Sequence, residues 1–160
     1  MEGFHIAELN VARLRYGLED PRISDFVNNL NRVNAAAERS DGFVWRLKDE
    51  AGSSVSMTRE ADPMVIPNLS VWTDVGALER FVFKTVHKRF YDRRAEWFSL
   101  MDKMHFMMWP VAVGHEPDLE EAWQRLDHLD ANGPSDHAFG WEHVADANLW
   151  RSARCSGTAA

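Results

Sequence analysis

Residues Val71–Trp97, VWTDVGALERFVFKTVHKRFYDRRAEW, decide the predicted fold, because they read as the end of a strand followed by one long helix. Asp74 stands where a helix N-cap belongs, since its carboxylate can accept hydrogen bonds from the free N–H groups of the first turn. No proline follows before Pro110, so we expect a helix that runs unbroken from about Val75. Its apolar side chains recur at helical spacing and form one stripe. The stripe consists of Leu78, Val82, Val86, Phe90 and Trp97.

Two polar side chains lie at an edge of this stripe. His87 and Arg94 are seven residues apart, which is about two turns of a continuous helix, and Phe83 lies beside them. The spacing predicts that both side chains reach the same space next to an aromatic wall. A polar pair at the edge of a pocket is an ordinary arrangement for a catalytic site, although a helix histidine and a surface arginine are equally compatible with the pattern.

Arg93 falls inside the apolar stripe. A buried guanidinium needs a partner, because an unpaired charge in an apolar region is costly. Glu96, Asp92 or a cation–π contact with the Trp97 ring would supply a structural partner. An anionic ligand is the functional alternative, and it makes Arg93 a candidate substrate-binding residue.

Composition limits the classes of protein that fit. The chain has 160 residues, 45% of them hydrophobic, which suits a single domain with a full core. We predict one domain over residues 1–145 and a tail over residues 146–160. A net charge of -7 and a pI near 5.4 argue against nucleic acid or an anionic membrane as a partner. The single Cys155 and the lack of a signal or membrane-spanning segment indicate a cytoplasmic protein.

The hydrophobic pattern along the chain predicts strands and helices in a definite order. The expected elements are a strand over Phe4–Tyr16, a helix from Ile23 to Glu38, a strand over Gly42–Leu47, a polar loop over Lys48–Asp62 with an irregular strand near Val55, a strand over Met64–Trp72, the long helix, a strand over Lys103–Val113, a helix over Leu119–Leu129 capped by Asp118, and a closing strand over Phe139–Val144. This order predicts an α+β fold, the ferredoxin-like split βαβ arrangement with a C-terminal helix extension.

Both faces of the strand over Lys103–Val113 are apolar, so both need a cover. The two main helices of a ferredoxin-like fold cover one face only. We therefore expect a second copy of the chain to cover the other face across a two-fold axis, which gives a homodimer and a dimeric α/β barrel.

Several segments resemble a known family. These segments are AELNVARLRYGLEDPR, FVNNLNRVNAAAERSDGFVWRL, VWTDVGALERFVF, RRAEWF and MMWPVAVGH with the following EPDLEEAWQRLDHLDANGPSDHAF. Together, over about Phe4 to Trp141, they resemble an uncharacterised bacterial family, domain-of-unknown-function family 3291, which has no assigned activity. That family in turn resembles the dimeric α/β-barrel superfamily of antibiotic-biosynthesis monooxygenases, haem-degrading monooxygenases, muconolactone isomerase-like enzymes and stress-response barrels. The resemblance implies a pocket between the sheet and the helices of each subunit.

The segment FKTVHK, Phe83–Lys88, is similar to the helix of monooxygenase-type barrels in which a histidine follows a phenylalanine by four residues. In the haem-degrading members that histidine binds iron, assisted by an asparagine on the first strand and a tryptophan on the helix. Asn10 and His87 stand at matching places. The tryptophan has no counterpart, because Phe81 and Phe83 occupy that region.

The first functional hypothesis is an enzyme that acts on a small apolar or aromatic molecule, as cofactor-independent monooxygenases or isomerases do. His87 would move a proton, and Arg94 with Asn10 would hold a developing oxyanion. The aromatic and cationic lining of the predicted pocket consists of Trp72, Phe83, Arg93, Trp97 and Trp109. No cofactor or metal is expected.

Two further hypotheses remain open. A non-catalytic small-molecule-binding or stress-response barrel would use the same pocket without an acid or a base. A haem protein would use His87 as the axial ligand. Among the other histidines, His115 either borders the pocket or bonds a turn, and His128, His137 and His143 lack the spacing of a zinc site.

Overall fold

The computed structural model describes residues 3–48, 64–99 and 106–155, with side chains through residue 152. The described residues form strands and helices in the order β1 (Phe4–Leu14), α1 (Ser24–Glu38), β2 (Phe43–Arg46), β3 (Val65–Trp72), α2 (Val75–Lys84), α3 (His87–Asp92), α4 (Arg94–Trp97), β4 (Phe98–Ser99), β5 (Phe106–Ala112), α5 (Leu119–Asn132) and α6 (Asn148–Cys155). The predicted α+β class is confirmed. The irregular strand predicted near Val55 lies outside the described residues.

The sheet is open and antiparallel, and β1 lies at its centre. Along one edge, β1 pairs with β3 from Ile6↔Trp72 to Arg13↔Val65, and β3 in turn pairs with β2. Along the other edge, β1 pairs first with β5 and then with the short strand β4. Consequently β1 contributes to the sheet over its whole length, and its side chains alternate between two covered faces.

Helices α1 and α2 cover one face of the sheet. Ile6 of β1 and Trp72 of β3 pack there with the apolar side of α2, and Ala37 brings in the end of α1. The N-cap of α2 is Asp74, whose Oδ1 accepts a 2.8 Å hydrogen bond from the Ala77 N–H, as the sequence predicts. Gly42 has φ +86°, and any Cβ there would collide with Ala77, so the turn before β2 requires glycine.

The other face of the sheet is covered within the same chain by α5. Leu9, Leu69 and Met107 each have 1% or less of their surface exposed, and they pack with Leu126 and Leu129 of α5. Helix α5 begins at the predicted cap, where the Asp118 Oδ1 accepts a 2.8 Å hydrogen bond from the Glu121 N–H. The argument that this face needs a second copy of the chain is therefore wrong, because α5 already removes its apolar side chains from water.

The long helix predicted from Val75 to Trp97 is interrupted twice. Thr85 adopts an extended conformation, with φ −122° and ψ −171°, and ends α2 after Lys84. Arg93, with φ −96° and ψ 5°, separates α3 from α4. The prediction of one continuous helix is wrong, since the breaks use neither proline nor glycine and the residues involved carry no sequence signal for them.

The C-terminal part of the chain contains less strand and more helix than the sequence predicts. The closing strand expected over Phe139–Val144 is reduced to one bridge between Met108 and Phe139, and a 3-10 turn follows over Trp141–His143. Residues 148–155 form α6 instead of a loose tail, and Trp150 of α6 is buried against α2. Among the described residues, no helix has both the length and the apolar character needed to cross a membrane.

Candidate functional site

Four polar side chains form a band across the face of the sheet that α1 and α2 cover. Glu8 of β1 is directly opposite Ser70 of β3, and two residues along Asn10 is opposite Asn68. Residues two apart on a strand point to the same face, so all four share one side of the sheet. We call these four residues the polar belt. It separates the apolar cluster around Trp72 from the apolar cluster around Ile66.

Glu8 is the ionisable member of the polar belt, and it is buried, with 6% of its surface exposed. Its Oε1 accepts a 2.7 Å hydrogen bond from the Ser70 Oγ, and that Oγ accepts a 2.9 Å hydrogen bond from the indole N–H of Trp72. Burial raises the pKa of Glu8 to about 8, and the Ser70 hydrogen bond opposes this rise only in part. The carboxyl group is consequently protonated over much of the neutral range.

A row of rings in contact connects the polar belt with His87. The Trp72 ring stacks on Phe81 of α2 with centroids 5.2 Å apart, and Phe81 contacts the His87 imidazole at 5.0 Å. His87 is partly buried. Desolvation lowers its pKa to about 4, although a 3.3 Å contact between its Nδ1 and the Val82 carbonyl oxygen favours the charged form. The imidazole is therefore neutral at pH 7, and the carbonyl favours the tautomer with hydrogen on Nδ1.

The break at Thr85 is what places His87 against Phe81. The Thr85 Oγ1 donates a 2.6 Å hydrogen bond to the Phe81 carbonyl oxygen at the end of α2. The Thr85 Oγ1 also accepts a 3.3 Å hydrogen bond from the His87 N–H at the start of α3. One hydroxyl therefore closes one helix and opens the next, and His87 turns back towards α2.

Asn34 of α1 is a further buried polar group on this side of the molecule. It is 5% exposed, and its Nδ2 has no hydrogen-bond partner among the residues that the structure describes. Ala37, one turn later on the same side of α1, packs in the apolar cluster that contains Trp72 and Phe81. Since an unpaired buried donor is costly, Asn34 is suited to receive an acceptor from a bound molecule.

Three of the predicted site residues belong to the polar belt or to the contacts that link it with His87. Asn10 belongs to the polar belt, Trp72 bonds Ser70, and His87 ends the row of rings. Arg94 lies elsewhere: its Nη1 donates a 2.7 Å hydrogen bond to the Tyr91 carbonyl oxygen, and its guanidinium stacks on the Tyr91 ring at 4.2 Å. The predicted pairing of His87 with Arg94 assumed a continuous helix, and the break at Arg93 removes that basis.

The other predicted lining residues are dispersed over the molecule. Phe83 contacts Tyr91 and Trp141. Trp97 is buried among Phe26, Phe90 and Phe98. Trp109 lies on the opposite face of the sheet, where its indole N–H donates a 3.2 Å hydrogen bond to Glu121 Oε1. Trp97 and Trp109 therefore form no common wall with Trp72, whereas Phe83 lies in the same apolar cluster as Trp72.

Arg93 has structural partners of the predicted kind. Its Nε donates a 2.8 Å hydrogen bond to Glu96, its Nη2 lies 3.1 Å from an Asp25 carboxylate oxygen, and its guanidinium lies 4.7 Å from the Trp97 ring centroid. Asp92, another predicted partner, instead bonds Lys88. The side chain of Arg93 is 43% exposed, so the expectation of a buried guanidinium is wrong.

Three of the remaining histidines, His115, His128 and His137, lie near α5. The His115 Nε2 is 2.7 Å from Glu121 Oε2, and its backbone N–H bonds the Ala112 carbonyl oxygen, so His115 ties the turn after β5 to α5. The rings of His128 and His137 lie 4.4 Å apart. Within residues 3–48, 64–99 and 106–155, no three His, Cys, Asp or Glu side chains are grouped as metal ligands would be.

The model of one protein family matches residues 5–155, almost the whole chain. The chain belongs to the DUF3291 family. Its description is a domain of unknown function, and it assigns no activity. A search of curated proteins finds no match.

Solved structures of three proteins are similar over most of their length. A conserved protein from Methanosarcina mazei Go1 is 14% identical, with a TM-score of 0.46, and the match covers 69% of this chain and 93% of that one. PA3566 from Pseudomonas aeruginosa is 13% identical, with a TM-score of 0.48, and the match covers 70% of this chain and 96% of that one. NE2512, a protein of unknown function from Nitrosomonas europaea, is 10% identical, with a TM-score of 0.44, and the match covers 74% of this chain and 97% of that one.

Proposed function

We propose that this DUF3291 protein is an enzyme that moves a proton to or from a small apolar or aromatic molecule bound between the sheet and helices α1 and α2. The observation that carries the proposal is the buried Glu8 carboxyl, whose pKa is raised to about 8. A group with a pKa near the working pH both holds and releases a proton readily, as a general acid or base must. Strongly shifted carboxyl groups are concentrated at functional sites.

The surrounding residues have complementary roles. Ser70 fixes the orientation of the Glu8 carboxyl through its hydrogen bond. Neutral His87, at the end of the aromatic row, has an imidazole nitrogen that can accept a proton. The amides of Asn10, Asn68 and Asn34 are neutral donors suited to an oxygen that becomes negative during the reaction. Trp72 and Phe81 offer flat apolar surfaces to an aromatic substrate.

The reaction class is that of cofactor-independent monooxygenases or isomerases. Removal of a proton from a phenol leaves a phenolate in an apolar site, and removal from an acidic C–H leaves a carbanion or an enolate. Reprotonation at another carbon gives an isomer, whereas reaction with dioxygen gives an oxygenated product. The proposal needs no cofactor, since the substrate itself supplies the electrons for the oxygen.

The experiment begins with a screen of phenols, quinols and enolisable ketones for thermal stabilisation of the protein. Stabilising compounds are then incubated in D₂O and followed by proton NMR, with dissolved oxygen measured in parallel. The proposal requires deuterium incorporation or oxygen consumption in wild type and its loss in Glu8→Gln with ligand binding retained. Ser152→Ala, an exposed change on α6, is the matched control. Equal turnover by Glu8→Gln and wild type would reject Glu8 as the proton carrier.

A non-catalytic small-molecule-binding or stress-response protein is the second candidate. The observation that favours it is the completeness of the Glu8–Ser70–Trp72 hydrogen bonds, which satisfy these groups without a ligand. Such a protein would keep its ligand affinity in both Glu8→Gln and His87→Ala and would show no deuterium exchange.

Haem binding is the third candidate, because the His87 ring has the properties of an axial ligand. It is neutral, and its Nδ1 faces a backbone carbonyl, as the distal nitrogen of a metal-binding histidine usually does. Bound haem would supply oxygen activation at its iron. An absorption spectrum with added haem tests this candidate, since it requires a Soret band that disappears in His87→Ala.

The dimeric ferredoxin-like barrel also remains a proposal. The order β2-β3-β1-β5 in an antiparallel sheet, with α1 and α2 on one face, supports the ferredoxin-like assignment. A homodimer would have to pack against α5 or a sheet edge, because α5 fills the face expected to receive the second copy. The mass of the protein in solution, measured by light scattering, separates the monomer from the dimer.

A further inference from the structure

A cavity of about 130 Å³ opens between α1 and the segment from α3 to Arg93. Three arginines line it, Arg32 from α1 and Arg89 and Arg93 from the other side, together with Asn29. Its apolar lining consists of Val86, just before α3, and Phe90, one helical turn later on α3. None of these six residues belongs to the polar belt or to the row of rings that ends at His87.

The charges around this cavity are not balanced. The Arg93 guanidinium bonds Asp25 and Glu96. Within the described part of the chain, neither the Arg32 nor the Arg89 guanidinium forms a hydrogen bond or an ion pair. Three arginines therefore line one cavity, and two of their guanidinium groups have no carboxylate partner among the described residues, in a protein whose net charge is -7. Like charges that converge on one cavity repel one another unless an anion lies among them.

The arrangement of the arginine N–H donors indicates which kind of anion fits the cavity. Guanidinium groups bind carboxylate and phosphate oxygens through paired N–H donors. A planar carboxylate has two oxygens and suits one arginine, whereas a phosphate group presents oxygens in several directions. Arginines that approach from two opposite elements fit the second case, and the apolar lining suits a carbon substituent on the phosphate.

We infer that the cavity between α1 and α3 is a binding site for the phosphate group of a small phosphate monoester, with Arg32 and Arg89 as its principal ligands. Arg93 completes the site and is held in place by Asp25 and Glu96. The Asn29 Nδ2 already donates a 2.9 Å hydrogen bond to the Asp25 carbonyl oxygen, which fixes the orientation of its amide at the rim. The inference is independent of the proposed proton transfer, since it uses none of the same side chains.

The test is isothermal titration calorimetry at low ionic strength with phenyl phosphate, inorganic phosphate and benzoate as probes. We expect phenyl phosphate to bind more tightly than inorganic phosphate, and both more tightly than benzoate. Arg32→Gln and Arg89→Gln should each weaken phenyl phosphate binding by about tenfold or more, since each removes a charge-assisted hydrogen bond. Both side chains are exposed, so neither substitution disturbs the core.

Arg39→Gln is the matched control, because Arg39 is an exposed arginine at the end of the same helix and lies outside the cavity. Its affinity for phenyl phosphate should equal that of wild type. Equal weakening in Arg39→Gln would show a general charge effect and overturn the site. Absence of phosphate binding to wild type would overturn it as well, and benzoate binding as tight as that of phenyl phosphate would overturn the phosphate assignment.

Discussion

The Ser70 Oγ lies 2.7 Å from Glu8 Oε1, and this hydrogen bond joins two residues that are 62 positions apart in the chain. The bond holds the carboxyl group on a covered face of the sheet and replaces a hydrogen bond that water would make to an exposed carboxyl. Both the proposed chemistry and the pH dependence of stability depend on this buried carboxyl.

Glu8 should make the protein less stable as the pH rises. Its pKa is about 8 in the folded chain and 4.5 ordinarily, so between these values the folded state holds a proton that the unfolded state has lost. The contribution of Glu8 to stability is therefore complete below pH 4.5 and falls by at most about 1.4 kcal/mol per pH unit towards pH 8. Urea unfolding of wild type and Glu8→Gln at several pH values measures this slope. The neutral amide should abolish it, and parallel curves for the two proteins would contradict the prediction.

His87 should have the opposite effect at acid pH. Its pKa is about 4 in the folded chain against 6.5 ordinarily, so the unfolded state binds a proton first as the pH falls. The contribution of His87 to stability is complete above pH 6.5 and is lost between pH 6.5 and 4. It opposes that of Glu8 between pH 4.5 and 6.5, and Glu8 alone acts between pH 6.5 and 8. As the pH falls from 6.5 to 4, the free energy of unfolding of His87→Gln should decrease less than that of wild type, as measured by urea unfolding.

Ser70→Ala should destabilise the protein by about 1–3 kcal/mol, because it leaves the buried Trp72 indole N–H without an acceptor. It should also raise the pKa of Glu8 further, since the Ser70 hydrogen bond favours the ionised form. Unfolding and an NMR titration of the carboxyl carbon report the two effects. Ser152→Ala is the control and should change neither; a Ser70→Ala protein as stable as this control would refute the prediction.

Thr85→Val keeps the shape of the side chain but removes the hydroxyl that joins α2 to α3. The loss of hydrogen bonds to the Phe81 carbonyl oxygen and the His87 N–H should cost about 1 kcal/mol. The pKa of His87 should also rise towards its ordinary value as the ring leaves Phe81. Thr73→Val, an exposed change before α2, should leave the NMR titration of His87 unaltered.

Trp150→Ala tests whether α6 is part of the domain. Trp150 is 5% exposed, and its backbone N–H donates a 3.3 Å hydrogen bond to Glu79 Oε2 of α2. Truncation of a buried tryptophan typically costs about 3–5 kcal/mol. Leu18→Ala, at a side chain that is 40% exposed, should cost far less. Equal thermal stability of the two variants would mean that α6 adds nothing to the core.

The first strand and the helix caps could be predicted from the sequence because they depend on local chemistry. The alternation of β1 and the carboxylates of Asp74 and Asp118 act on neighbouring residues, and all three predictions agree with the structure. The break at Thr85 could not be predicted in the same way. Threonine carries no strong helix-breaking signal, and its conformation depends on the packing of His87 against α2.

The candidate site was only partly visible in the sequence, for a related reason. Asn10, Trp72 and His87 could be singled out as residue types, whereas Glu8 looks like an ordinary polar position on a strand. Its burial depends on the register of β1 with β3 and on the cover that α1 and α2 provide. The available signal was a carboxylate among apolar residues, with Leu9 next to it and Ile6 two positions before it, in a strand whose two faces are covered. The role predicted for Arg94 failed because it required a continuous helix.

The most direct test of the account is the pKa of Glu8, measured by an NMR titration of the side-chain carboxyl carbon and assigned with Glu8→Gln. The account predicts a midpoint near pH 8, with the group still protonated at pH 7. A midpoint near the ordinary value of 4.5 would mean that Glu8 is ionised and solvated at neutral pH. That result would remove the acid–base group on which the proposed function rests.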